Sequence, residues 1–191
     1  VKRKGVEVII ALDISNSMLA QDVQPSRLEK AKRLISRLVD ELDNDKVGMI
    51  VFAGDAFTQL PITSDYISAK MFLESINPSL ISKQGTAIGE AINLAARSFT
   101  PQEGVGRAII VITDGENHEG GAVEAAKAAI SRLATNVFIH ISEAHSASRW
   151  HALKRPNHTP ETPTRIVTTR KNFRHRSMFP EVKPVRCTVS K

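Results

Sequence analysis

The sequence is short of several things, and each shortage removes a class of protein. Its 191 residues contain one cysteine, Cys187, so no internal disulfide can form and a cysteine-built zinc site is excluded. No apolar run reaches the roughly 20 residues that span a bilayer. There is no Gly-x-x-x-x-Gly-Lys-Ser/Thr loop and no Gly-x-Gly-x-x-Gly fingerprint, so neither phosphate cradle of the nucleotide-binding folds is present. Gly-x-Ser-x-Gly is missing too, which removes the serine-hydrolase elbow. Acidic residues are scarce at one end. Residues 131–191 hold 12 Lys and Arg against 3 acidic residues, whereas residues 1–130 hold 14 against 17. The net charge of +6 therefore combines a mildly acidic body with a basic, His-containing tail. That tail has no aromatic-interleaved basic motif, so no nucleic-acid partner is expected. The chain opens at Val1 without an initiator Met or a signal peptide, which reads as a fragment or processed chain, with any membrane segments outside it.

What is present is organised around Val6-Glu7-Val8-Ile9-Ile10-Ala11-Leu12-Asp13-Ile14-Ser15-Asn16-Ser17-Met18. The apolar run is short and rich in Val and Ile, as a fully buried parallel strand would be. It ends in one carboxylate and two hydroxyls at alternate positions. In an open α/β sheet ligands bind beyond the carboxyl ends of the strands. Small oxygen donors there, without His or Cys, suit a hard cation such as Mg²⁺.

The rest of the chain alternates strands with helices. Ser26 and Glu29 have capping-box spacing after Pro25. Leu28, Ala31, Leu34, Ile35, Leu38, Val39 and Leu42 then form one apolar helix face. Lys46 to Ala53 reads as a second strand, turned at Gly54-Asp55 into a short antiparallel edge partner, Ala56 to Leu60, which Pro61 ends. Thr63, Ser64 and Asp65 can cap a helix carrying Ile67, Met71, Phe72 and Ile76. Asn77-Pro78-Ser79 breaks it. A loop then presents Thr86, followed by a helix with Ile88, Ala91, Ile92, Ala95 and Phe99 on one face, the strand Ala108 to Thr113, and an Ala-rich helix, Ala122 to Leu133. Val137 to Ile141 is a further candidate strand. This order predicts right-handed βαβ crossovers: an α/β, doubly wound, mostly parallel Rossmann-like sheet with one antiparallel edge strand.

Three stretches carry a family likeness. Asp13-x-Ser15-x-Ser17, Gly85-Thr86-Ala87-Ile88-Gly89 and Ile109-Ile110-Val111-Ile112-Thr113-Asp114-Gly115 resemble, in order, the three motifs of the metal-ion-dependent adhesion site of von Willebrand factor A (VWA) domains. With Gln24-Pro25-Ser26-Arg27, Val51-Phe52-Ala53-Gly54 and Thr113-Asp114-Gly115-Glu116-Asn117, residues 1–130 look like the VWA domain of bacterial aerotolerance-operon (Bat-type) membrane proteins. The resemblance implies a Mg²⁺ (or Mn²⁺) site in which Ser15 and Ser17 bind the metal directly and Thr86 binds directly or through water. Asp13 and Asp114 would act mainly through water. A protein ligand would supply an Asp or Glu carboxylate to the metal. The family likeness further implies association with the bacterial inner membrane and work alongside a MoxR-type AAA+ ATPase and other VWA proteins. Lys2-Arg3-Lys4 favours the cytoplasmic side. Glu116, His118 and Glu119 read as a solvated loop beside the site.

The likeness stops near Ile130. Residues 1–141 are expected to form the VWA domain, and 142–191 a basic Pro/His/Arg-rich tail, irregular or disordered. The abrupt switch suggests a frameshifted reading from about residue 130. Codons allowed by Glu181 to Thr188, read one base out of frame, can encode Gly-Lys-Ala-Gly-Ala-Val-Tyr-Arg, which resembles the family's closing strand. Loss of that strand and of the terminal helix would uncover apolar surface on Ala108 to Thr113. The rival functional reading is a Mg²⁺-dependent haloacid-dehalogenase-like phosphatase, which also places an Asp after its first strand. Such an enzyme needs a general acid two residues on. Ser15 stands there and cannot transfer protons near neutral pH, so no enzymatic activity is expected.

Overall fold

The computed structural model describes residues 5–102, 104–114, 121–133, 136–141 and 166–169. The strands are β1 (Val6–Asp13), β2 (Lys46–Phe52), β3 (Ala56–Thr63), β4 (Gly106–Thr113), β5 (Asn136–Ile141) and β6 (Ile166–Thr169). The helices are α1 (Arg27–Asp40), α2 (Tyr66–Ser75), α3 (Ile88–Ser98) and α4 (Ala122–Leu133). The strands form one sheet in the order β3-β2-β1-β4-β5-β6, and only β3 is antiparallel to its neighbour. This is the doubly wound, mixed sheet that the alternation of elements predicts.

β1 lies mid-sheet because its side chains are apolar on both faces. Val8, Ile10 and Leu12 pack with α1 and α2, while Ile9 and Ala11 pack with α3 and α4. Each large aliphatic side chain so enclosed contributes about 1.5–3 kcal/mol of transfer free energy. The register pairs Ile10 with Met49 of β2 and Ile110 of β4. The carboxyl ends of β1, β2 and β4 therefore finish side by side.

α1 starts where the capping pattern says. Ser26 is its N-cap, and the Glu29 amide donates to Ser26 Oγ at 3.2 Å. Leu28, Ala31, Ile35 and Val39 are buried, so the inward stripe is narrower than the full apolar set. Leu34, Leu38 and Leu42 are half-buried.

One expectation is corrected. Pro61 does not end β3, which runs on to Thr63. An edge strand has one side without a partner, so a residue lacking an N–H is tolerated there, and the ladder shifts register between Val47 and Ile50. The apolar residues of α2 divide between its buried and exposed sides. Ile67, Met71 and Phe72 are exposed, at 77%, 67% and 42%, whereas Ala69, Leu73 and Ile76 are buried. Asp65, the N-cap, accepts from the amides of Ile67 and Ser68 and starts the helix in the phase that turns Ala69 and Leu73 inward. Lys70 pairs with Asp40 and ties α2 to α1.

The C-terminal stretch also contributes to the sheet. β5 pairs with β4 in parallel, and Ile166–Thr169, within the span read as an irregular tail, pairs in parallel with β5. The outer edge of β4 is therefore covered. On its faces Ile109, Val111 and Ile112 are buried, while Ala108 and Ile110 are half-buried. The remaining expectations for 142–191, a frame change included, lie outside the described residues, as do those for Glu116, His118 and Glu119.

Candidate metal centre

Asp13 is the last residue of β1 and is fully buried. The chain then leaves the sheet, still held to β2 by the Ile14 amide donating to the Phe52 carbonyl at 2.8 Å. A short 3-10 turn follows at Asn16–Leu19. The Ser15 amide turns back to donate to Asp13 Oδ1 at 2.9 Å. Asp13 Oδ2 accepts from Thr113 Oγ1, at the end of β4, at 2.7 Å. Both oxygens of Asp13 are thus engaged, and its carboxylate is locked in one orientation.

Ser15 precedes the 3-10 turn in the N-cap position, yet its side chain makes no capping bond. Its hydroxyl lies 2.9 Å from that of Ser17. That is an ordinary hydroxyl–hydroxyl hydrogen bond. It is also about the edge of an octahedron whose metal–oxygen bonds are about 2.1 Å, the Mg²⁺ value. The pair is therefore spaced to act as neighbouring ligands of a small ion.

The Thr86 loop is drawn to the same strand ends by backbone contacts. The Gly54 amide donates to the Lys83 carbonyl at 3.0 Å, and the Ala87 amide to the Ala53 carbonyl at 2.7 Å. Across the site, the Asn16 amide donates to Gln84 Oε1 at 3.1 Å. Gly54 permits this approach: a Cβ there would lie 2.6 Å from the Gln84 carbonyl oxygen. Gly85 turns the loop at a φ of 144°, a conformation that favours glycine. Thr86 itself is buried, and it does not cap α3, whose N-cap is Ala87.

Asp114 follows β4. Its side chain is 1% exposed, and Arg27 Nη1 donates to its Oδ2 at 3.0 Å. Its Oδ1 is buried and has no hydrogen-bond partner. A buried carboxylate oxygen left alone costs about 1–3 kcal/mol or more, and a cation or its bound water would satisfy it. Burial is the main influence raising the Asp13 carboxyl above its ordinary value of 3.8; hydrogen bonds from Ser15 and Thr113 oppose this, and the charge of Asp114 adds to it. Two buried carboxylates thus repel each other across the site, as they would where a cation belongs between them.

The residues present fit a divalent ion. The donors are all oxygens: carboxylates at Asp13 and Asp114, hydroxyls at Ser15, Ser17 and Thr86. Among the described residues no three His, Cys, Asp or Glu side chains cluster to hold a metal. A softer, thiolate- or imidazole-rich site is therefore absent from that part of the chain. Arg27 was not singled out as a site residue from sequence. Its signals there were its place beside the capping Ser26 and within Gln24-Pro25-Ser26-Arg27, a stretch that carries the family likeness.

Comparison with known proteins settles the family. The profile of the von Willebrand factor type A domain matches residues 8–116. The chain belongs to that family. The VWA chain is 35% identical over 114 residues to a protein of Borreliella burgdorferi, a match covering 58% of this chain and 33% of that one. It spans about a third of the length of the curated relatives it matches. Among solved structures it is similar to BatB from Bacteroides thetaiotaomicron, with 90% identity, a TM-score of 0.70 and coverage of 72% of this chain and 66% of that one. An aerotolerance-related membrane protein from Bacteroides fragilis gives 84% identity, a TM-score of 0.69 and coverage of 72% and 67%. The mussel byssus protein PTMP1, solved with a zinc-occupied MIDAS motif, shares the fold at 20% identity and a TM-score of 0.62, over 72% of this chain and 36% of its own.

Proposed function

We propose that this VWA domain is a metal-dependent protein-interaction module, with Mg²⁺ or Mn²⁺ held by Asp13, Ser15, Ser17, Thr86 and Asp114. The observation that carries the reading is the buried, unpartnered Asp114 Oδ1 beside the engaged carboxylate of Asp13. When bound, the ion would supply an electrophilic point among the hydroxyls of Ser15, Ser17 and Thr86. The serine and threonine hydroxyls add no charge, so only two carboxylates offset the ion. An Asp or Glu carboxylate from a partner protein then has an attractive seat. Asp13 holds the site's waters and hydroxyls in place, while Asp114 offers its unpartnered Oδ1 to the ion directly or through water. The zinc-occupied motif of the mussel protein supports a divalent ion at this position of the fold.

The reading extends to a non-catalytic role in a bacterial membrane-associated assembly with a MoxR-type AAA+ ATPase and other VWA proteins. Among the described residues no helix is long and apolar enough to cross a membrane. The membrane protein of Bacteroides fragilis, 84% identical, supports attachment through segments beyond this chain, with Lys2-Arg3-Lys4 at a cytoplasmic flank. Two positions past Asp13 stands Ser15, whose hydroxyl cannot act as a general acid near neutral pH, which speaks against phosphatase chemistry.

The test is a thermal melt of the 191-residue chain in Mg²⁺ and in EDTA, beside Asp13→Ala. A ligand that binds only the native state raises its stability. A cooperative transition raised by Mg²⁺ in the wild type alone is the expected result. A cooperative melt indifferent to divalent ions would overturn the proposal.

A further inference from the structure

Arg27 joins three parts of the chain. It is the first residue of α1. Its Nε and Nη2 grip the two oxygens of Asp22 at 2.9 and 3.2 Å, and its Nη1 donates to Asp114 Oδ2. Its amide donates to the Ala20 carbonyl at 3.1 Å, in the loop that follows Ser17. The side chain is 13% exposed. A guanidinium is a rigid planar fork, so holding one carboxylate on one side fixes what it can offer on the other. Asp22 thereby aims Nη1 at Asp114.

The consequence falls on the two oxygens of Asp114. One is occupied by Arg27, and the other is buried with no partner. Asp114 can then present a single oxygen to whatever lies in the site. Mg²⁺ and Mn²⁺ take carboxylates one oxygen at a time in a near-octahedral shell; Ca²⁺ takes more ligands and readily uses both oxygens of one carboxylate. The 2.9 Å spacing of the Ser15 and Ser17 hydroxyls favours the smaller ion in the same sense.

We infer that Arg27 is a positioning residue that sets metal choice, holding Asp114 one-oxygen-forward and so selecting small octahedral ions over Ca²⁺. The inference rests on the metal-site reading above. Its distinctive feature is the ratio of affinities. Mg²⁺ and Ca²⁺ carry equal charge, so the loss of a nearby positive charge acts alike on both and cancels in the ratio. The freedom of Asp114 to turn does not cancel.

The experiment is calorimetric titration of the 191-residue chain with MgCl₂ and with CaCl₂, for wild type, Arg27→Gln, Arg27→Lys and Asp22→Asn. Arg27→Gln is expected to shift the affinity ratio toward Ca²⁺ by about tenfold, the low end of what supporting residues of metal sites contribute. Arg27→Lys keeps the charge without the fork and is expected to shift it in the same direction. Asp22→Asn, which loosens the fork and leaves Arg27 in place, shifts it less. If Arg27→Gln does not melt cooperatively, the other two variants decide. Ratios unchanged within about twofold in every folded variant, with the wild type binding Mg²⁺, would overturn the inference alone. A wild type that binds neither ion would overturn the metal-site reading as well.

Discussion

Thr113 Oγ1 donates to Asp13 Oδ2 at 2.7 Å, joining the last residues of two adjacent parallel strands whose sequence positions are 100 apart. Both residues are fully buried. This bond makes the end of β4 part of the same rigid frame as the end of β1. It also leaves Asp13 no free oxygen with which to reorient. Thr113→Val keeps the shape and removes the donor. An unpaired buried acceptor costs about 1–3 kcal/mol, so denaturant unfolding in EDTA should show a loss of that size, with an unchanged slope.

The pH response of the metal-free domain follows from Asp13. Its folded-state carboxyl is raised above 3.8, chiefly by burial. The folded state therefore binds its proton more tightly than the unfolded chain does. That contribution to stability is complete below 3.8 and disappears as pH rises through the folded value. Asp13→Asn has no proton to lose. In EDTA its stability relative to wild type should climb as pH is raised from about 4 toward neutrality, read by melts across that range. In Mg²⁺ the wild type should gain instead, because the charged carboxylate is the form that holds the site.

Glu7 tests whether stability and the site can be separated. It is the second residue of β1, near the opposite end from Asp13, and is 1% exposed. It accepts from the Thr100 amide at 3.1 Å and from Thr100 Oγ1 at 2.5 Å, with Lys46 Nζ at 3.7 Å. Glu7→Ala leaves a partly buried amide and hydroxyl of Thr100 without their acceptor and should cost about 1–3 kcal/mol. The Mg²⁺-induced rise in melting temperature should survive this change, since the strand ends that form the site lie a full strand length away.

The face of α2 can be checked by substitution. Leu73→Ala removes a side chain that is 2% exposed and should destabilise by about 2–5 kcal/mol. Met71→Gln, at a position 67% exposed, should stay within about 0.5 kcal/mol of wild type. Equal costs in chemical denaturation would mean that both side chains are buried in solution.

Much of this was legible in one dimension because the signals are local. The apolar run of β1, the Ser26 cap of α1, the aliphatic period of α3 and the Ala-rich span of α4 all read out from neighbours a few residues apart. Asp13, Ser15 and Ser17 are likewise a local pattern. Which side of α2 turns in is not legible there, because its apolar residues lie on more than one side. Pro61 misled because only the neighbours of a strand decide whether its missing N–H matters.

By itself the sequence determined the order of elements, the central place of β1 and the oxygen-only chemistry at its end, since these depend on residue type and short-range period. Tertiary structure alone decided that Thr113 locks Asp13, that Arg27 holds one oxygen of Asp114 and leaves the other unpaired, and that Ile166–Thr169 joins the sheet. Those pairings span from 29 to 100 positions of chain. No periodicity reaches that far; they exist because parallel strands bring their carboxyl ends to one edge of the sheet.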